Sequence, residues 1–125
     1  MSNKKEFLGN MSAFFPIEKE DLTNIYFIVV KINKNRFWDN RVKIGISKNV
    51  KKRMGVLKTG NPFDLSIMYS FKIEKSRAKY LENSLHRKFN WSHVSGEWFQ
   101  MHPCIKEWVV VHKRECDKRS MINYI

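Results

Sequence analysis

With 125 residues, 42% of them hydrophobic and 14% aromatic, the chain is long enough for one cored domain and too apolar to be a disordered basic tail. Its 24 lysines and arginines against 12 acids leave a net charge of +12, which calls for a polyanionic partner. A membrane protein is excluded by pattern: the longest clean apolar run, residues 25–30, falls far short of the roughly 20 residues of a span, and no basic amphipathic helix suits a bilayer surface.

Residues 1–21 show little period, an apolar knot at Phe14 and Phe15 before Pro16 giving way to Glu18, Glu20 and Asp21. They read as an arm or short helix packed on the domain. No cleavable signal follows the polar first residues, so the protein is expected to stay in the cytoplasm where it is made. Residues 25–31 (IYFIVVK) are β-rich and continuously apolar, as a strand covered on both faces would be. Residues 33–40 (NKNRFWDN) form a basic, Asn-rich hairpin connection. The return strand, 41–47 (RVKIGIS), sets Val42, Ile44 and Ile46 on one face and Lys43 and Gly45 on the other. A glycine in a strand marks a close approach by backbone or ligand, so the Lys43 face is not filled with hydrophobic bulk.

Asn49 starts a helix through Lys58 with Val50, Met54 and Leu57 inward and Arg53 at the edge of that stripe. Thr59-Gly60-Asn61-Pro62 stops it. Residues 65–73 alternate cleanly, which predicts a third strand with Leu65, Ile67, Tyr69, Phe71 and Ile73 on one face. Ser76 then caps a helix over 77–89 whose apolar stripe is Ala78, Leu81, Leu85 and Phe89. Glu82 falls on the flank of that stripe, where a carboxylate is costly unless a cation or hydrogen-bond donors meet it. The plain alternative is a rim glutamate paired with a lysine. His86 lies one turn further along. Residues 92–96 form a loop, 97–101 (EWFQM) a short extended piece, and Pro103 opens a last helix carrying Ile105, Trp108, Val109 and His112. The fold class is α/β: a small, mainly antiparallel three-stranded sheet flanked by helices, in the order β-β-α-β-α-(short β)-α. The divisions are an arm (1–23), a core domain (24–101) and a last helix packed on it (102–125).

Familiar chemistry is largely absent. There is no Walker loop, dinucleotide fingerprint, HExxH or nucleophile elbow. His102, Cys104, His112 and Cys116 crowd the C-terminal end, but the paired C-x-x-C knuckle of structural zinc sites is missing, and buried thiols with surface histidines are the default reading.

One ordered set of residues stands out: Ile25-Tyr26-Phe27, VKIGIS at 42–47, KKRM at 51–54, LENSLHRKF at 81–89 and GEWF at 96–99. Together they resemble the GIY-YIG nuclease superfamily, in its branch from phages and large DNA viruses whose second motif reads Lys-Ile-Gly. The resemblance implies a divalent-metal-dependent DNA endonuclease. Tyr26 falls on the family's first-motif tyrosine, the general base or water-orienting group; Lys43 on the second-motif tyrosine; Arg53 on the helix arginine; Glu82 on the metal-binding glutamate. Asn24 stands where the first glycine belongs, Leu57 where many relatives have histidine, and Glu97 lies near a late asparagine that has no counterpart.

The residues suit such chemistry on their own terms. A tyrosine with an ordinary pKa near 10 needs neighbouring cations to act as a base, and Lys43 and Arg53 are candidates. Arg53 can grip two phosphate oxygens at once. Glu82 would hold one Mg²⁺ (or Mn²⁺), a hard cation needing few carboxylates, while His86 either orients a metal-bound water or bonds a nearby carbonyl. Lys31, Lys34, Arg36, Lys48, Lys51, Lys52, Arg87 and Lys88 are the expected phosphate contacts. The expected partner is DNA, with RNA left open; the expected state is a monomer or weak dimer, in a host cell's cytoplasm if the chain is viral. Each residue has a plainer reading: Tyr26 packing, Lys43 solvated, Arg53 paired with Glu82, Trp98 and Phe99 in the core. The rival readings are a nucleic-acid-binding module that kept the fold without the chemistry, and a basic structural protein of a ribonucleoprotein particle.

Overall fold

The computed structural model describes residues 21–36 and 39–123, with side chains as far as 119; of the arm read over residues 1–23, residues 1–20 lie outside them. The first strand, β1 (Leu22–Lys31), takes in residues 22 and 23, which the sequence assigned to the arm. It is followed by β2 (Arg41–Ser47), α1 (Val50–Lys58), β3 (Asp64–Glu74), α2 (Lys75–Lys88), a turn of 3₁₀ helix (Asn90–Ser92), β4 (His93–Ser95), β5 (Trp98–Gln100) and α3 (Pro103–Asn123). The sheet is antiparallel throughout and five-stranded, in the order β3-β1-β2-β5-β4, rather than three-stranded as expected. The two extra strands arise because 92–96, read as a loop, folds into a hairpin with the extended piece after it. Strands of three residues are too short to show alternation. Gly96 makes the hairpin possible: its φ of +54° is what the first position of a tight two-residue turn between Ser95 and Trp98 requires.

The central position of β1 accounts for its unbroken apolar run. Ile25, Phe27 and Val29 face one core with Val42 and Ile44, closed by Ala78 and Leu85 of α2 and by Ile105 and Val109 of α3. Tyr26, Ile28 and Val30 face a second, smaller core beneath Val50, Met54 and Leu57 of α1. The molecule is therefore three layers deep, with one helix on the Tyr26 face and two on the other. In α3, His112 Nδ1 meets the Tyr69 hydroxyl at 2.8 Å and ties the last helix to β3. Burial raises Tyr69 to about 12, and burial likewise lowers His112, so a neutral tyrosine donates to a neutral imidazole. None of the helices among the described residues is long and apolar enough to cross a membrane.

Two local expectations are corrected. The five alternating residues of β3 do not share a face: Leu65 and Ile67 join the smaller core, while Tyr69, Phe71 and Ile73 join the larger. A bulge is responsible. Phe27 pairs with Tyr69 and Ile28 with Ile67, so Met68 is the extra residue that flips the strand. Nor does Ser76 cap α2; the helix begins at Lys75 after Glu74, with no side-chain cap, where Lys75 N–H donates to the Asp21 carbonyl. By contrast Asn49 caps α1 as its sequence predicts, accepting from the Lys52 N–H at 3.0 Å.

Candidate active site

The site is built on the Tyr26 face, around a missing side chain. In the antiparallel register Tyr26 lies opposite Gly45. A Cβ placed on Gly45 would lie 2.6 Å from the Tyr26 hydroxyl oxygen and 2.9 Å from Glu97 Oε1. Any side chain there would displace both groups, which explains the glycine in a strand that otherwise alternates well. What approaches Gly45 so closely is thus the tyrosine itself.

Glu97 arrives from the β4–β5 turn. Its carbonyl accepts from the Ile44 N–H at 3.1 Å, and its carboxylate meets Lys43 Nζ at 3.1 Å. Lys43 is only 7% exposed, and its ammonium sits 5.4 Å from the centre of the Trp98 ring. A lysine this buried needs a counter-charge, and Glu97 supplies it. Arg53, on α1 and exposed, acts on Tyr26 from the other side by side-chain hydrogen bonding and by its charge.

The net result for Tyr26 is a pKa above the ordinary 10. Burial raises it most, Arg53 opposes this, and the negative charges of Glu97 and, most weakly, Glu82 add to it. The expectation that Lys43 and Arg53 together depress Tyr26 is thereby corrected: Arg53 acts in that sense, but Lys43 is turned to Glu97.

Glu82 is 2% exposed on the inner flank of α2, not a rim residue. Its partner is Lys79, at 2.9 Å, whose side chain is 73% exposed; no ion pair with Arg53 forms. Lys79 also feels the charge of Glu97, and Tyr26 that of both carboxylates. His86 stands outside this group. Its Nε2 is 2.9 Å from the Ile44 carbonyl, to which it donates, and its ring packs edge-on against Phe99. Of its two readings, the bond to a carbonyl is the one the geometry contains. Asn24, in place of the family glycine, donates its amide to the Ser47 and Lys48 carbonyls and pins the open end of the β1–β2 pair.

The anticipated phosphate contacts Lys31, Lys34, Arg36, Lys48, Lys51, Lys52, Arg87 and Lys88 are all exposed. Arg36 and Lys48 carry surface ion pairs with Asp39 and Asp21, weak enough in water to yield to a phosphate. At the C-terminal end, Cys104 is exposed and Cys116 lies 3.8 Å from His112; among the described residues no three His, Cys, Asp or Glu side chains gather as a metal cage.

Two contributors escaped the sequence reading of the site: Lys79 as the partner of Glu82, and Glu97 as the partner of Lys43. The i, i+3 spacing on one helix could have suggested the first. Nothing local could have suggested the second, which depends on strand pairing. Neither a curated protein nor a solved structure matches the chain. The model of the T5orf172 domain matches residues 23–119, from β1 to near the end of α3, and the chain therefore belongs to this family of phage-associated domains related to nuclease folds.

Proposed function

We propose that this domain is a divalent-metal-dependent DNA endonuclease of the GIY-YIG type. The observation that carries the proposal is the meeting of the Tyr26 hydroxyl and the Glu97 carboxylate at the empty side-chain position of Gly45, with Lys43 paired to Glu97 and Arg53 acting on Tyr26. A tyrosine that merely packed would need no arginine from another helix and no glycine opposite.

Hydrolysis forms a bond from a water oxygen to phosphorus as the bond from phosphorus to a sugar oxygen breaks. The water must lose a proton and the departing oxygen must gain one. Tyr26 orients the water and, in its phenolate form, receives its proton, while solvent water returns a proton to the departing sugar oxygen; Arg53 grips the nonbridging oxygens, where charge accumulates. Glu82 would hold Mg²⁺ or Mn²⁺. The fit rests on the donor itself: a buried carboxylate whose counterion is a single solvent-swept lysine, in a setting suited to a cation that keeps most of its waters. When bound, such an ion supplies Lewis-acid stabilisation of the leaving oxygen. Trp98 and the pair of buried Lys43 with half-exposed Glu97 hold the site's wall in place.

The state of Lys43, paired and roofed rather than free, also favours the second reading, a binding module without chemistry. Paired substitutions separate the two. Glu97→Gln removes a charge that raises Tyr26 and frees the Lys43 cation beside it, so the tyrosine's pKa falls and the acidic limb of the plasmid-nicking rate moves to lower pH. Lys43→Ala leaves Glu97 uncompensated, and the limb moves to higher pH. Opposite displacements, measured at saturating Mg²⁺, are the expected result. A nicking rate that ignores both substitutions would remove Tyr26 from the chemistry.

A further inference from the structure

Along β2 the residues of the Tyr26 face are, in order, Arg41, Lys43 and Gly45. Beyond Lys43, at the Arg41 end, lies an open cleft of about 520 Å³ that the chemistry proposed above does not use. Arg41, Leu57, Phe63 and Trp98 are among the residues that line it. At about 3.4 Å per strand residue, its Arg41 wall lies roughly 14 Å from Gly45, which a nucleotide or two of single strand can span. Trp98 joins the two places, since it lines the cleft and also carries the Lys43 ammonium over its ring.

The cleft has the features of a stacking platform. Phe63 is 43% exposed and belongs to neither core. It is held out by a turn that is itself fixed: Gly60 has a φ of +76°, Asn61 N–H donates to the Lys58 carbonyl, and Phe63 N–H donates to Asn61 Oδ1 at 3.0 Å. A hydrogen-bonded turn that presents an aromatic ring to solvent loses little entropy when a flat ligand stacks on it. Arg41 contributes a half-buried guanidinium, anchored through Nη1 on the Asp39 carbonyl at 2.9 Å. Its planar face and remaining N–H groups suit an aromatic heterocycle bearing hydrogen-bond acceptors.

Resting on the polynucleotide substrate of the proposed function, we infer that this cleft takes one unpaired nucleobase of the strand whose phosphate lies at Tyr26, stacked between Trp98 and Phe63. The charge on the chain, +12, favours a nucleic acid over an apolar peptide or a second copy of itself. A base locked in a duplex cannot enter such a cleft without leaving its stack. The domain thus selects single-stranded, frayed or branched DNA by structure, without reading its sequence.

The test holds charge constant and removes the bases. The full chain, free of metal, is titrated with two single-stranded oligonucleotides of equal length and phosphate count, one of thymidine and one with abasic sites at its central positions. The parent should bind the thymidine strand about 5- to 100-fold more tightly, the range that stacking of a base on an aromatic side chain supplies. Phe63→Ala, which lies outside both cores and should fold, is expected to bind the two strands with nearly equal affinity. Phe63→Trp should restore the difference. Equal binding of both strands by the parent, or an undiminished difference in Phe63→Ala, overturns the inference. Because this readout needs no cleavage, a preference for bases in a protein that never nicks DNA supports the cleft and counts against the endonuclease; nicking without any base preference does the reverse.

Discussion

Glu82→Gln is expected to abolish Mg²⁺-dependent cleavage, by about 10³-fold or more, while leaving DNA binding equal or slightly tighter. The size follows from losing a carboxylate ligand to a cation that offsets several kcal/mol of developing charge. The direction of the affinity change follows from removing a negative charge beside bound phosphate. Stability should hardly move. The side chain keeps its shape beside Ala78 and Leu85, and the partner left behind is Lys79, exposed enough to be hydrated by water. Had Glu82 been locked to Arg53 in the interior, the substitution would have stranded a buried charge and unfolded the domain. Thermal melts should therefore agree with the parent within about 4 °C. A variant that melts early, and cuts in proportion to its folded fraction, would make Glu82 a structural residue.

Tyr26→Phe should lower the cleavage rate by about 10²- to 10⁴-fold, the usual worth of a positioned proton acceptor. Phenylalanine fits the same slot, which is 1% exposed and opposite Gly45, and the change deletes only the hydroxyl that crowds the glycine. Binding to DNA should be unaffected, because Arg53 and the surface lysines remain. The melting temperature should stay close to the parent's. A Phe variant that cuts at the parental rate would reduce Tyr26 to packing, and with it the reason for Gly45.

Much of this could be read from the chain before its structure. The unbroken apolar run of β1 announces cover on both faces, and the helix stripe through Ala78 and Leu85 puts Glu82 on its flank, rim or interior left open, where the structure buries it. Gly45 was legible as a point of close approach, though not what approaches it. What could not be read depends on partners distant in sequence. The flip in β3 requires the register with β1, since a bulge at Met68 leaves the alternation of the strand itself intact. The hairpin of β4 and β5 forms because β2 offers an edge to pair with, and that pairing alone brings Glu97 to Lys43. Ser76 looked like a cap because its type is right; the backbone reaches Asp21 instead, and the helix starts two residues earlier. For His86 the helix position was legible but its target was not, as the Ile44 carbonyl is presented by a strand 42 residues away.

A site of the proposed kind cuts DNA only when a divalent cation is supplied. The most direct measurement of this is conversion of supercoiled plasmid to the nicked form by the full chain, stripped of metal with chelator and then given Mg²⁺ or Mn²⁺ in a graded series. Nicking that is absent from the stripped protein, appears as the cation is added and disappears again on chelation is the predicted result. A folded protein that binds the plasmid yet leaves it supercoiled at every concentration of either cation would be a nucleic-acid-binding module and no endonuclease.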